Sequence, residues 1–174
     1  MSDTFITIIA IFLAAILMFI FPLMTLADRN DDVTQLTVQT ATTEFVDEIR
    51  RTGKLTWDEY NNFSSTIAAT GNAYDVELQF KILDEHPAKK DSQASGVTII
   101  GENVYYSVYT TQIEDRLGTD SKYLLKEGDI VSVSVKNRGT TLAQTLRNVY
   151  YRVTGNDTYT ISASSAGTVT VNGK

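Results

Sequence analysis

The longest pattern in the chain is an uncharged apolar run from Phe5 to Ala27, which reads FITIIAIFLAAILMFIFPLMTLA. At about 1.5 Å per residue, a helix of this length measures roughly 34 Å, enough to cross a hydrocarbon core of about 30 Å with some tilt. Each Ile, Leu or Phe favours insertion by about 0.3 to 0.6 kcal/mol near the bilayer centre. The run therefore predicts a transmembrane helix. Positions along the predicted span are Phe5, Ile11, Ile16, Phe19, Pro22 and Ala27.

Two other interpretations of this run stay open. A cleaved secretory signal peptide would use Thr25-Leu26-Ala27 as its cleavage site, although the run exceeds the usual ~7 to 15 apolar residues and no Lys or Arg precedes it. A buried core helix is disfavoured because the segment is apolar on all sides and too long for a small domain to enclose. We expect residues 1–31 to form a membrane anchor and residues 32–174 to form one domain.

The charges flanking the run say little about orientation. Asp3 lies on one side, and Asp28, Arg29, Asp31 and Asp32 lie on the other, so the positive-inside rule has few cations to count. An acidic flank gives no sign of attraction to an anionic cytoplasmic leaflet. We therefore expect a single-pass protein of the cell membrane, with the lipid bilayer as one partner and the C-terminal domain extracytoplasmic.

Helical periodicity continues beyond the run. Val38, Ala41, Phe45 and Ile49 share one face of an amphipathic helix predicted from about Asp32 to Thr52 and ended by Gly53. Since no Pro or Gly lies between Leu23 and Thr52, this helix can continue the membrane helix, with Pro22 marking a kink. A second helix is predicted from about Trp57 to Thr70, because Thr56 and Glu59 have the spacing of a capping box.

Alternating apolar and polar residues then predict strands. The clearest is Tyr74 to Ile82; the others are Val97 to Ile100, Val104 to Thr110, Asp129 to Asn137, and a terminal strand or hairpin within Thr158 to Val171. A polar loop is predicted for residues 85–96. Thr111 and Thr140 are predicted to cap two further helices, the first reaching Leu117-Gly118 and the second carrying the stripe Leu142, Leu146, Val149 and Val153. Because helices and strands do not alternate as βαβ units, we predict an α+β fold: a small antiparallel sheet with helices on one face.

Composition narrows the chemistry. The net charge of −6 and the scattered Lys and Arg pairs argue against nucleic-acid binding, and the chain has no cysteine for disulfides, thiolate metal sites or thiol nucleophiles. The single histidine, His86, lies in the polar loop without metal-ligand partners at a suitable spacing. Neighbouring carboxylates such as Asp58 and Glu59 are typical of solvated helix faces and first turns. We predict no catalytic, cofactor or metal site, and a protein that is not an enzyme.

Tyrosines form the most notable candidate surface. Alternation along the predicted strand places Tyr105 and Tyr109 on one face and Tyr106 on the other. A sheet covered on one face exposes part of this aromatic area, which suits contact with another protein. The competing interpretation assigns the tyrosines to the core. We treat Tyr105, Tyr106 and Tyr109 as a possible contact surface.

A hydrophobic helix that runs into an amphipathic helix and carries a small β-rich domain resembles the plan of type IV pilins and pseudopilins. The segments TEFVDEIRRTGKLTWDEYNNFSSTIAATGNAYDVEL and KEGDIVSVSVKNRGTTLAQTLRNV resemble small membrane-anchored proteins associated with Tad-type (tight adherence) pilus or secretion systems of Gram-positive bacteria. The resemblance implies contacts with other pilus or secretion-system subunits, and these can be further copies of this chain in a homo-oligomer. The chain lacks the basic leader, processing-site Gly and following Glu of typical prepilins, so an associated component is expected rather than a major pilin. The alternative function is an anchored extracytoplasmic module that binds a ligand.

Overall fold

The computed structural model describes residues 2–84, 105–145, 148 and 160–174. Its fold is α+β, with a long N-terminal apolar helix and antiparallel sheets, as the sequence predicts. The elements are α1 (Ser2–Thr52), β1 (Lys54–Thr56), α2 (Trp57–Ala68), β2 (Tyr74–Leu83), β3 (Tyr105–Tyr109), α3 (Thr110–Asp120), β4 (Lys122–Leu124), β5 (Ile130–Asn137) and β6 (Ser162–Thr168).

Helix α1 is continuous across 51 residues, so the predicted membrane helix and amphipathic helix are one element. Pro22 lies inside it, and a kink there stays a prediction. The C-terminal half carries one buried stripe at three- and four-residue spacing, which matches the period of an α-helix. Its members are Ala27, Asp31, Thr34, Val38, Thr42, Phe45, Val46 and Ile49. Gly53, with a φ of +68°, ends the helix as predicted.

The main sheet has four antiparallel strands in the order β3-β2-β5-β6. Strand β2 pairs with β5 over most of its length, with Phe80 opposite Val131 and Leu78 opposite Val133. These residues point to the inner face, where they are buried, while Glu77 and Lys81 on the same strand are exposed. Apolar and polar residues therefore alternate along β2 and β5, as predicted for strands. The period is two because a sheet covered on one face buries every second side chain.

The hydrophobic core lies between the inner face of this sheet and the helices. Buried residues of α1, α2 and α3, among them Ile49, Phe63 and Leu117, belong to the same cluster as those of β2, β5 and β6. Helices α1 and α2 are joined by stacked rings of Phe45 and Phe63, whose centroids are 4.3 Å apart. The predicted capping box at the start of α2 is confirmed: Glu59 N–H donates to Thr56 Oγ1, and Thr56 N–H donates to the Glu59 carboxylate.

A second, two-stranded sheet is absent from the sequence predictions. Strands β1 and β4 pair antiparallel, with Leu55 opposite Tyr123, directly after the end of α1. Both have three residues, which is too short for a period to show. This sheet closes the end of the domain opposite Ala27, and we call it the apical end. The opposite, basal end comprises residues 70–72 and 140–142.

Two predicted helix caps are wrong. The helix that Thr111 was predicted to cap is α3, which begins at Thr110 and extends to Asp120. Its N-cap is Tyr109, whose N–H donates to Gln112 Oε1. Thr110, which we predicted to end the preceding strand, instead accepts from Leu78 N–H at 2.8 Å. The second cap was predicted at Thr140, but the capping residue is Thr141, whose Oγ1 accepts from Gln144 N–H at 3.2 Å. In both cases several neighbouring residues can cap, and tertiary packing decides which one does.

Some predictions fall outside the described residues. These are the polar loop 85–96 with His86, the strand Val97–Ile100, Val104 at the start of its strand, and the helix positions Leu146, Val149 and Val153. Within the terminal segment predicted from Thr158 to Val171, the described part contains the single strand β6.

Candidate interaction surfaces

The first surface is the N-terminal half of α1. From Asp3 to Leu23 every side chain is exposed, although most are Ile, Leu, Phe or Ala. By length and composition this helix can cross a membrane, a property it shares with a signal sequence near an N-terminus. An exposed apolar surface of this size needs a non-aqueous environment or a partner.

The positions predicted to span the membrane fall into two groups. Phe5, Ile11, Ile16 and Phe19 are exposed large hydrophobic residues, and Pro22 is exposed beside them. Ala27, the last predicted position, is buried and begins the stripe that packs against the domain. The helix therefore passes from unpacked to packed close to the end of the apolar run. The division between an anchor of residues 1–31 and a domain of residues 32–174 stays a prediction.

A buried polar cluster fastens α1 to the basal end of the domain. Asp31 is buried and accepts a hydrogen bond of 2.6 Å from the Thr141 hydroxyl. The same hydroxyl oxygen accepts from Gln144 N–H, while Thr141 N–H donates to Gln144 Oε1 at 3.1 Å. In the sequence, Asp31 is part of the acidic flank of the apolar run, and nothing there indicates this role, because its burial depends on a contact with a residue 110 positions away.

The tyrosines form the second surface. The pairing of β3 with β2 puts Tyr105 opposite Leu83 and Tyr109 opposite Gln79, on the outer face, and Tyr106 opposite Ile82 on the inner face. Tyr105 is 39% exposed and Tyr109 58% exposed, and Tyr106, on the other face of this edge strand, is 45% exposed. The structure thus brings Tyr105 and Tyr109 together on one face and separates Tyr106 from them, in the arrangement that alternation predicts.

Most of the remaining outer face is polar, and Leu83 and Ile130 are its larger apolar residues. Strand β2 contributes Asp75, Glu77, Gln79 and Lys81, while β5 and β6 contribute Ser132, Ser134, Ser164 and Ala166. The buried residues of α1, α2 and α3 belong to the core on the opposite face. Tyr105 and Tyr109 are therefore the large aromatic groups of this face among the described residues, which favours them as contact residues over core residues.

Three carboxylates that stand in neighbouring acidic pairs, Asp47, Glu48 and Glu59, have structural partners. Asp47 and Glu48 pair with Arg50 and Arg51 one turn along α1. Glu59 belongs to the capping box of α2. Within the described ranges, no group of three or more His, Asp or Glu side chains is placed to hold a metal ion.

A further carboxylate joins two helices. Glu114 of α3 accepts a hydrogen bond of 2.7 Å from the hydroxyl of Tyr60 in α2. Burial raises the pKa of Tyr60 well above its usual range, and the hydrogen bond to Glu114 raises it further. Burial also raises the pKa of Tyr123, against the opposing effect of Arg116, whose guanidinium lies 4.9 Å from the ring centroid. Both tyrosines stay neutral at physiological pH, so they support packing.

Comparison with known proteins adds no relative. The chain matches no protein-family model, no curated protein and no solved structure.

Proposed function

We propose that this protein is a membrane-anchored structural or assembly component that acts through protein–protein contacts, pilin-like and associated with a Tad-type pilus or secretion system. The supporting observation is the difference between the two halves of α1. Its first half exposes an apolar surface long enough to cross a bilayer, and its second half is the central helix of a folded domain. Such a helix holds a domain at a fixed position relative to the membrane, as an assembly subunit requires.

The outer face of the sheet supplies the proposed contact with other subunits. Tyr105 and Tyr109 present aromatic area on either side of Ser107, whose small side chain leaves both rings accessible to a partner surface. Aromatic residues are enriched at protein interfaces, where their rings bury much area with few rotatable bonds. In this proposal the extracytoplasmic domain meets its neighbours through this face while α1 lies in the bilayer.

Membrane anchoring is tested on membranes from expressing cells. We expect the chain to sediment with membranes after carbonate washing, to keep its full-length mass, and to lose its domain to protease added from outside. Recovery of the chain only in the soluble cytosol would contradict the proposal. Loss of the first ~27 residues would identify a secreted protein, since signal peptides are removed in the mature chain.

The assembly role is tested in the source organism. A Tyr105→Ala/Tyr109→Ala variant is expected to reduce surface filaments or secreted output by several-fold at unchanged membrane level. Thr119→Ala, an exposed change on α3, is the matched control. Normal filaments and secretion in a strain lacking the protein would contradict an assembly role.

The exposure of Tyr109 also favours the second candidate, an anchored module that binds a soluble ligand. Ligand capture at the surface of cells carrying the native chain, weakened by Tyr109→Ala, would support the module. An assembly subunit has no reason to capture a soluble ligand.

A further inference from the structure

The basal end of the domain lies level with the last turns of the apolar run. Leu23 and Leu26 of α1 line a crevice whose other wall is formed by Thr70, Gly71, Asn72 and Thr140 to Leu142. The α1 wall continues through Ala27 and Asn30 to Asp31, so the crevice covers about 12 Å of helix rise around the end of the apolar run. Residues of the domain that share this crevice are therefore at the height of the end of the predicted span.

Helix length fixes that height relative to the lipid. The run from Phe5 to Ala27 measures about 34 Å, against a hydrocarbon core of about 30 Å. When this run spans a bilayer, its last turn lies at the boundary between acyl chains and headgroups. The crevice formed by Leu23, Leu26 and the basal end then lies at the same boundary.

One residue of the basal end has the apolar side chain that suits this location. Leu142 is 59% exposed, and it is the large apolar residue of the basal end. It is the residue after Thr141, which is hydrogen-bonded to Asp31 and to Gln144. These bonds hold Leu142 at the base of the domain, so it cannot withdraw into the core without breaking a buried polar cluster.

From this geometry we infer that the basal end is a lipid-contacting surface, with Leu142 inserted among the headgroups of the bilayer that α1 spans. The inference rests on the proposed membrane anchoring and deepens it. The domain is then seated on the bilayer surface at two points, the helix and Leu142, with its apical end directed away from it. An apolar side chain at the interface gains burial from lipid while neighbouring backbone groups remain hydrated.

The absence of native cysteine allows a direct test on the full chain. Single variants Leu142→Cys, Leu26→Cys and Leu124→Cys are labelled with a polarity-sensitive NBD fluorophore and reconstituted into phosphatidylcholine vesicles. Leu26 reports the end of the apolar run. Leu124, 46% exposed at the apical end, is the matched control for an exposed leucine. Lipids carrying a nitroxide near the headgroup supply the quencher.

We expect the label at position 142 to be quenched at least twofold, close to the label at position 26, while the label at position 124 remains unquenched. Vesicle flotation separates the two proposals. A chain that floats with the vesicles but shows equal quenching at positions 142 and 124 overturns the lipid-contacting surface and leaves the anchor intact. A chain that does not float overturns the anchor, and this inference with it.

Discussion

Gly53, at the end of α1, packs against the backbone of the C-terminal segment, and a residue with a side chain does not fit there. Its φ is +68°, and a Cβ at this position would lie 2.3 Å from Val171 O and 2.5 Å from Gly173 N. Both atoms belong to the backbone, which cannot move aside as a side chain can. Gly53→Ala is therefore expected to lower the free energy of unfolding by at least about 2 kcal/mol, measured by urea unfolding of the full chain in detergent micelles with Trp57 fluorescence.

Gly118 provides the control for this substitution. It lies within α3, has no positive φ, and an added Cβ would meet nothing within 4 Å. Because Ala favours helix more than Gly, Gly118→Ala is expected to raise the free energy of unfolding by up to about 1 kcal/mol. Equal stability of the two alanine variants would contradict the role assigned to Gly53.

Tyr60 makes the stability depend on pH in the alkaline range. Its pKa is raised in the folded chain, first by burial and then by the hydrogen bond to Glu114, so folding favours the neutral phenol. The resulting stability is complete below the ordinary tyrosine pKa of about 10 and is lost as the pH rises from there through the folded pKa. Tyr60→Phe is expected to cost about 1 kcal/mol at pH 8 and to flatten the decline above pH 10.

The same urea unfolding series at pH 8 to 11 checks this. Some decline will remain in the variant because the pKa of Tyr123 is also raised by burial. Tyr109→Phe removes a hydroxyl from an exposed ring and is the matched control. An equally steep decline in the native chain and in Tyr60→Phe would show that the Tyr60 hydroxyl is not the titrating group.

At the scale of elements, α1 protects the edge strand β6. The Gln35 side chain accepts from Ser162 N–H at 3.0 Å and donates to Ser162 O at 2.6 Å, as a neighbouring strand would. At the other end of β6, Arg50 Nε donates to Thr168 O at 3.0 Å. Covering a sheet edge in this way prevents it from pairing with another chain.

Gln35→Ala removes both bonds to Ser162 and leaves the buried stripe of α1 intact. The Ser162 amide is expected to exchange hydrogen several-fold faster, with a loss of about 1 kcal/mol in the free energy of unfolding because the site is exposed. Hydrogen-exchange mass spectrometry on a peptide containing Ser162 measures this. Thr37→Ala, whose hydroxyl bonds to the carbonyl of Val33 in its own helix, is the control, and the same exchange rate in both variants would contradict the protective role of Gln35.

The elements differ in how far the sequence predicts them, for physical reasons. β2 and the buried half of α1 were predictable because each buries one face and exposes the other. The apolar residues of each therefore recur in the sequence with the period of a strand or of a helix. β1 and β4 are too short for a period, and the cap of α3 depends on the contact of Thr110 with β2. At the candidate surfaces, alternation predicts the faces of Tyr105 and Tyr109, whereas the Asp31–Thr141 bond that positions Leu142 joins residues far apart in sequence and leaves no local signal.

For the whole molecule, the important property of α1 is its continuity. From Ala27 to Thr52 the helix extends about 37 Å, and the domain packs along this length through the buried stripe. No linker separates the apolar run from the core. Because the run and the core share one helix, any tilt of the span in the bilayer also tilts the domain, including the outer face that carries Tyr105 and Tyr109.

Although one helix contains both the membrane span and part of the core, mutation can separate them, because the side chains of the span do not pack against the domain. Ile16 is exposed near the middle of the apolar run, so Ile16→Arg changes no packed side chain but places a charge near the bilayer centre, at a cost of about 2.5 to 3.5 kcal/mol on insertion scales. We expect less of this variant in carbonate-washed membranes, while Leu124→Arg at the apical end sediments as the native chain does. Unchanged membrane recovery of Ile16→Arg would show that the apolar half of α1 is covered by protein instead of lipid.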